Sequence, residues 1–184
     1  MLHIETAPKL ETTRSEFGFK RTVCACDECT HHCRVIPGYL VPSDIERISR
    51  HLEYTNLVRF AFENLAASPG ATVMNSQDGR IFRIPTLVPQ RGAHRACQFL
   101  QNGNCRIHQV SPYGCAMFDA HQSHAEANGR SARGLQEIAG EWAKGARSIY
   151  VCVWKMLDEA GVRAVPPEVA RQSMMESVSV TGVD

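Results

Sequence analysis

The chain has 184 residues, 43% hydrophobic and 21% charged, with a formal net charge of +1. That is an ordinary globular composition with enough chain to bury a core of its own, and the near-neutral charge excludes a general basic field for nucleic acid or anionic lipid. No apolar run approaches the roughly 20 residues of a membrane helix, and Met1 to Arg14 lacks the apolar stretch of a secretory signal. The expected location is therefore the cytoplasm, where eight cysteines read as metal ligands before disulfides.

Residues 1–22 show no clean period and are expected as an extended lead-in. Within it Phe17 and Phe19 alternate with Gly18 and Lys20, as in a short strand that tucks both rings against the core. Then comes Cys24-Ala25-Cys26-Asp27-Glu28-Cys29-Thr30-His31-His32-Cys33, four cysteines and two histidines in ten residues. A thiolate is a soft anionic donor and a neutral imidazole a borderline one, and such groups gather at short spacing around zinc or an iron–sulfur cluster. The polar filling of Asp27, Glu28 and Thr30 suits turns, so this stretch is expected as a loop.

At Pro42-Ser43-Asp44-Ile45-Glu46 a helix is expected, with Ser43 and Glu46 as a capping box and Ile45, Ile48 and Leu52 at helical spacing. Thr55-Asn56 caps a second helix with Leu57, Val58, Ala61, Phe62 and Leu65 on its buried face, stopped by Ser68-Pro69-Gly70. Two hairpins follow, one turning at Asp78-Gly79 between Thr72–Met74 and Arg80–Ile84, the other at Asn102-Gly103. The second pairs Leu100 with Cys105 and Cys97 with His108, which puts Cys97 and Cys105 on opposite faces unless a bulge re-aims one. Ser111-Pro112 opens a short helix carrying Cys115 in its first turn, where exposed N–H groups favour the thiolate. After the polar stretch Ser123 to Ser131 one long helix is expected to near Gly161, with Leu135, Ile138, Trp142, Ala146, Ile149, Val153 and Leu157 on one face. Cys152 lies beside that stripe and reads as core. Pro166-Pro167 closes the ordered part.

These residues carry a resemblance. The chain is similar to the YkgJ-type cysteine-cluster proteins, the CxxCxxCC family of zinc- or iron-chelating domains. Cys26, Cys29, His32 and Cys33 fall on the opening motif, with histidine for the third cysteine. Pro42-Ser43-Asp44 matches the family's helix start. Cys97-Gln98-Phe99-Leu100, Cys105-Arg106-Ile107-His108, Ser111-Pro112-Tyr113-Gly114-Cys115 and Phe118 match its closing block. The match covers roughly residues 22 to 120. It departs at Ala116, where the family has arginine, and at Asp119, where it has proline, and it adds Cys24 as an extra thiol. The resemblance implies metal chelation and names no reaction, and it makes His32 the imidazole expected among the ligands.

The metal ligands expected are thus Cys24, Cys26, Cys29, His32, Cys33, Cys97, Cys105 and Cys115, holding zinc or an iron–sulfur cluster. His31 is expected exposed, and His94 and His108 as polar turn or sheet residues. Cys26-x2-Cys29-x3-Cys33 departs from the Cys-x2-Cys-x2-Cys of bacterial ferredoxins, whereas zinc takes four thiolates, or three and an imidazole, at such steps. Eight donors suffice for two zinc sites or for one cluster with ligands to spare. An alternative is an iron-dependent enzyme, because Asp119, His121 and His124 make the two-histidine, one-carboxylate set that leaves coordination positions open. No Ser-His-Asp signature, P-loop or dinucleotide fingerprint appears, and no enzyme class is assigned. A zinc-ribbon nucleic-acid module is disfavoured by the charge and by the scarcity of stackable aromatics; the expected partner is a metal ion, with a protein partner left open.

The expected fold is α+β and mainly helical, with small hairpins and cysteine-rich metal-binding loops packed on three or four helices. One cysteine-cluster domain would span 23–165, between the lead-in and a C-terminal short helix and tail at 166–184.

Overall fold

The computed structural model describes residues 12–14, 19–21, 26–74, 78–92, 95–118 and 121–165. The architecture is α+β. The lead-in contains a small antiparallel hairpin, β1 (Thr12–Arg14) on β2 (Phe19–Arg21). Phe17, Cys24, His94, Asp119 and the segment 166–184 lie outside the described residues.

The first cysteine stretch is not a loop. It is a helix, α1 (Asp27–Val35). The x2 and x3 steps between Cys26, Cys29 and Cys33 are also the i, i+3, i+7 steps of a helix face, and Cys26 serves as N-cap with its sulfur facing the Cys29 N–H at 3.5 Å. No apolar stripe marks this helix, so hydrophobic period could not announce it.

α2 (Pro42–His51) starts one residue before the expected cap. Pro42 takes the first helical position, and the Asp44 carboxylate, rather than Ser43 and Glu46, accepts from the Val41 N–H at 2.9 Å. Ile45 and Ile48 are buried as the spacing requires. α3 (Leu57–Asn64) is capped by Asn56, whose Oδ1 accepts from the Arg59 N–H at 2.9 Å. Its buried face is Phe60, Ala61 and Asn64, whereas Val58 and Phe62 are exposed, so the expected face is rotated.

The helix ends at Asn64 because the chain turns directly into β3 (Leu65–Met74), which pairs antiparallel with β4 (Ile81–Pro89). Ser68-Pro69-Gly70 is thus not a helix stop. It is a bulge in a strand, with the register shifting between Ser68 and Ala71 and Gly70 at φ +80°. The hairpin forms between the expected strands, with Met74 opposite Ile81; its connection runs through 75–80, of which 75–77 lie outside the described residues. Its far end leaves Met74, Ile81 and Phe82 exposed.

β5 (Leu100–Gln101) and β6 (Asn104–Cys105) confirm the second hairpin: Leu100 opposes Cys105, and Asn102 and Gly103 both take positive φ, the signature of a type I′ turn. The ladder stops after two pairs. Cys97 bridges Arg91 instead of opposing His108, which removes the opposite-face problem. α4 (Tyr113–Ala116) is a single turn carrying Cys115, with Pro112 rather than Ser111 at the N-cap.

The long helix is two helices. α5 (His124–Lys144) begins within the polar stretch ahead of the expected helix, on a Ser123/Glu126 capping box. It stops at Gly145, whose φ of +59° breaks the run, and α6 (Ile149–Glu159) restarts on a Ser148 cap. The break resets the helical phase. Tyr150 and Val151 become buried, Ile149 turns out to solvent, and Cys152 is exposed rather than core, its sulfur 3.4 Å from the Ala146 carbonyl.

The core joins α2, α3, α5 and α6 to the inner half of β3–β4 through Leu40, Ile48, Phe60, Leu65, Leu87, Ile138 and Leu157. Trp142 and Trp154 pack edge to face at 5.4 Å and donate to the carbonyls of Pro85 and Ser68, which fixes both C-terminal helices on the hairpin. Tyr150 is a second tie. Its buried hydroxyl donates to the Leu40 carbonyl at 2.9 Å and accepts from the Leu87 N–H at 2.8 Å. Burial pushes this phenol far above its ordinary range, so it stays protonated and able to donate. Tyr150→Phe is expected to take this partner from the Leu87 N–H and the Leu40 carbonyl, costing about 1–3 kcal/mol in urea unfolding; an unchanged midpoint would show that water replaces the hydroxyl.

Among the described residues no helix is long and apolar enough to cross a membrane.

Candidate metal centre

The cysteines sit where α1 meets the segment from Cys97 to Cys115. That meeting is made by the main chain. The Cys97 N–H donates to the Cys33 carbonyl at 2.7 Å, and the Arg91 guanidinium donates to the carbonyl of Val35 at the end of α1 and to that of Arg95 at 3.1 Å. The two cysteine groups, more than sixty residues apart in sequence, are thereby brought to one place.

At the N-terminal end of α1, Cys26 Sγ, Cys29 Sγ and a ring nitrogen of His121 all lie within 4.8 Å of one another. Cys26 Sγ is 3.5 Å from His121 Nε2. The thiols are half-buried and the imidazole is exposed, so an ion has a path in from solvent. Two thiolates and an imidazole fit zinc, with a fourth position to fill. Cys24, two residues ahead of Cys26, is outside the described residues.

His121 therefore joins the first cysteine pair. The sequence grouped it with Asp119 and His124, of which Asp119 lies outside the described residues. His124 is the exposed first residue of α5, and His121 directs Nε2 at Cys26. The His32 ring, on α1, lies 3.9 Å from that of Phe118, with Nδ1 3.4 Å from the Glu28 carbonyl, and it lines a cavity together with Cys29 and Cys33. His31 is exposed, as expected.

A cavity of about 1000 Å³ opens beside α1, and Cys29, Cys33, Cys97, Cys105 and Cys115 all line it, together with His108. Cys97 is the most enclosed, at 7% exposure. Burial pushes its thiol up from 9.0 to about 12; the backbone N–H of Phe99 pulls it down, and the neighbouring Cys105 and Cys33 sulfurs push it further up. The Cys33 and Cys105 sulfurs thus lie near enough to Cys97 for their charge to reach it. Arg91 senses it too: burial and Arg95 lower its pKa while the Cys97 sulfur raises it.

Cys115 is set by a backbone crossing. Gly114 donates to the Tyr39 carbonyl at 2.9 Å, and a Cβ on Gly38 would stand 2.3 Å from the Cys115 nitrogen and 2.8 Å from its sulfur. Only glycine permits that approach. The other brace is Asp44, fully buried, whose Oδ2 accepts from the Tyr113 N–H at 2.6 Å as well as from Val41. Arg47 pairs with the same carboxylate and donates to the Ser111 carbonyl at 3.1 Å. One carboxylate therefore ties the start of α2 to the turn that presents Cys115.

The signal for His121 was available in part. Its residue type marked it as a donor, but linear proximity pointed to Asp119 and His124, and only the tertiary fold brings it beside Cys26 and Cys29. Comparison with protein-family models, with curated proteins and with solved structures returned no match.

Proposed function

We propose that the protein is a metal-binding protein whose zinc or iron–sulfur centre is held by cysteines from the 26–33 and 97–115 segments, with His121 added to the ligand set. The observation that carries the reading is the Cys26, Cys29 and His121 group, three donors of the right chemistry within 4.8 Å. The Cys33–Cys97 backbone joint supports the participation of both segments. On this reading the chain is of the CxxCxxCC type, and His121 occupies a ligand place beside the first two cysteines. Zinc suits the Cys26, Cys29, His121 group best, because clusters are held chiefly by thiolates.

The test is anaerobic purification followed by metal and sulfide analysis and an absorption spectrum. Stoichiometric zinc or iron is expected in the parent protein. Cys26→Ser and His121→Ala are each expected to lower metal affinity at least tenfold, since losing even a hydrogen-bond partner of a ligand costs about 10–100-fold. Protein that carries no metal and takes up no added cobalt(II) would end the reading.

A further inference from the structure

The β3–β4 hairpin leaves the core partway along its length. Leu65, Ala67, Ile84 and Leu87 are buried at its inner end, whereas Thr72, Met74, Ile81 and Arg83 are exposed at its outer end. These last four share one face, because Met74 opposes Ile81 and Thr72 opposes Arg83, and side chains two apart along a strand point the same way. A strand face turned to water is ordinarily polar. Here its outermost pair is Met74, at 69% exposure, and Ile81, at 70%. An apolar cross-strand pair on the open end of a two-stranded sheet calls for a cover.

The chain itself sets out toward that pair. After α6, Arg163 bridges Ala67 in parallel: the Ala67 N–H donates to the Val162 carbonyl at 2.9 Å, and the Ala164 N–H donates to the Ala67 carbonyl at 2.8 Å. Parallel pairing fixes the heading, so at Val165 the chain runs along β3 in the direction of Met74. Val165 is half-exposed and lines the same cavity as Gly70, Ala71 and Thr72. Met74 lies seven residues past Ala67 on β3, or about 23 Å of strand. Residues 166–184 follow Val165 and reach about 60 Å when extended, so length is not limiting.

We propose that the segment 166–184 folds back along β3 and that its Val178 and Val180 cover the Met74–Ile81 pair. The sequence Ser177-Val178-Ser179-Val180-Thr181 alternates polar and β-branched apolar residues, the pattern of a strand with one face to bury. Charge agrees in sign. The hairpin end carries Arg80 and Arg83 against Asp78, and the segment carries Glu168 and Glu176 against Arg171. The tether also favours this occupant over a second copy of the chain. Docking of a linked segment is intramolecular, at an effective concentration on the order of millimolar, whereas a second copy must lose its translational and rotational freedom to bind. The inference is independent of the metal reading, since it uses none of the ligands.

The test places the photo-crosslinker p-benzoylphenylalanine at position 81 of the full chain. Irradiation is expected to join position 81 to a peptide between Met174 and Thr181 of the same chain, at the mass of one chain. A crosslinked pair of chains would overturn the proposal in favour of a second copy on the hairpin. Crosslinking that reaches no part of 166–184 would overturn it as well. Hydrogen exchange gives a second reading on protein without the probe. Val178→Asp with Val180→Asp is expected to speed exchange in peptides covering 71–74 and 80–83 by about tenfold, while α2 and α6 exchange as in the parent and so report an intact core. Equal exchange over the hairpin in variant and parent would count against the proposal.

Discussion

Asp44→Ala is expected to lower stability by about 3–5 kcal/mol, enough to leave a substantial unfolded fraction in many small proteins. The carboxylate is fully buried and holds two backbone donors and a guanidinium. Removing it orphans the Val41 and Tyr113 N–H groups and leaves Arg47 without its acid. Each unsatisfied buried group costs about 1–3 kcal/mol, though the terms overlap and do not simply add. Asp44→Asn separates charge from geometry. Both N–H groups point at Oδ2, so an amide oxygen there keeps them, while the NH2 in place of Oδ1 faces the Arg47 guanidinium; the asparagine variant should lose less than the alanine variant, and what it loses reports the Arg47 pair. Urea unfolding of both variants measures this. A loss below about 1 kcal/mol in the alanine variant would mean that water enters and satisfies the orphaned groups. Because Tyr113 stands two residues before Cys115, the same variant should also weaken any centre in which Cys115 takes part.

The second large effect is metal removal. A chelator that strips the protein is expected to lower Tm by about 10 °C without unfolding it at room temperature. The size follows from mass action, since a ligand held at about a thousand times its Kd stabilises by about 4 kcal/mol, and 1 kcal/mol moves Tm by about 2–4 °C in a chain of this length. Survival of the fold follows from the core, whose members Ile48, Phe60, Leu87, Ile138 and Leu157 owe nothing to sulfur. The effect has a pH sign. Metal-bound thiolate and neutral imidazole hold their protons off below their ordinary pKa values, so the stabilisation is present at neutral pH and above and is lost as acid protonates the ligands. The Tm difference between loaded and stripped protein should therefore shrink towards pH 5. Calorimetry with and without chelator checks this, and equal Tm values after verified removal would contradict it.

Much of the frame was legible from local chemistry. Asn56 caps α3 as its side chain predicts, and Asn102-Gly103 makes the turn that its tolerance of positive φ predicts. What escaped reading depended on tertiary context. α1 has a helical spacing of cysteines but polar residues between them, so its period was carried by ligands and not by core residues. Ser68-Pro69-Gly70 is a stop signal in isolation and became a bulge because β4 was there to pair with. At Gly145 an apolar period ran on through a break that only a positive φ reveals, and Cys152 was misplaced with it. The cysteines themselves stood out as donors from the first, but which sulfur neighbours which is a property of the backbone crossings at Gly38 and Cys33.

The joint between Cys33 and Cys97 is an amide hydrogen bonded to a carbonyl, and any residue but proline at position 97 supplies the same amide. Scaffold and donor chemistry are thus decoupled there. A histidine introduced at position 33 would keep the splice between the two segments while changing the hardness of the ligand set, which makes this junction a natural place to retune the protein from one metal to another.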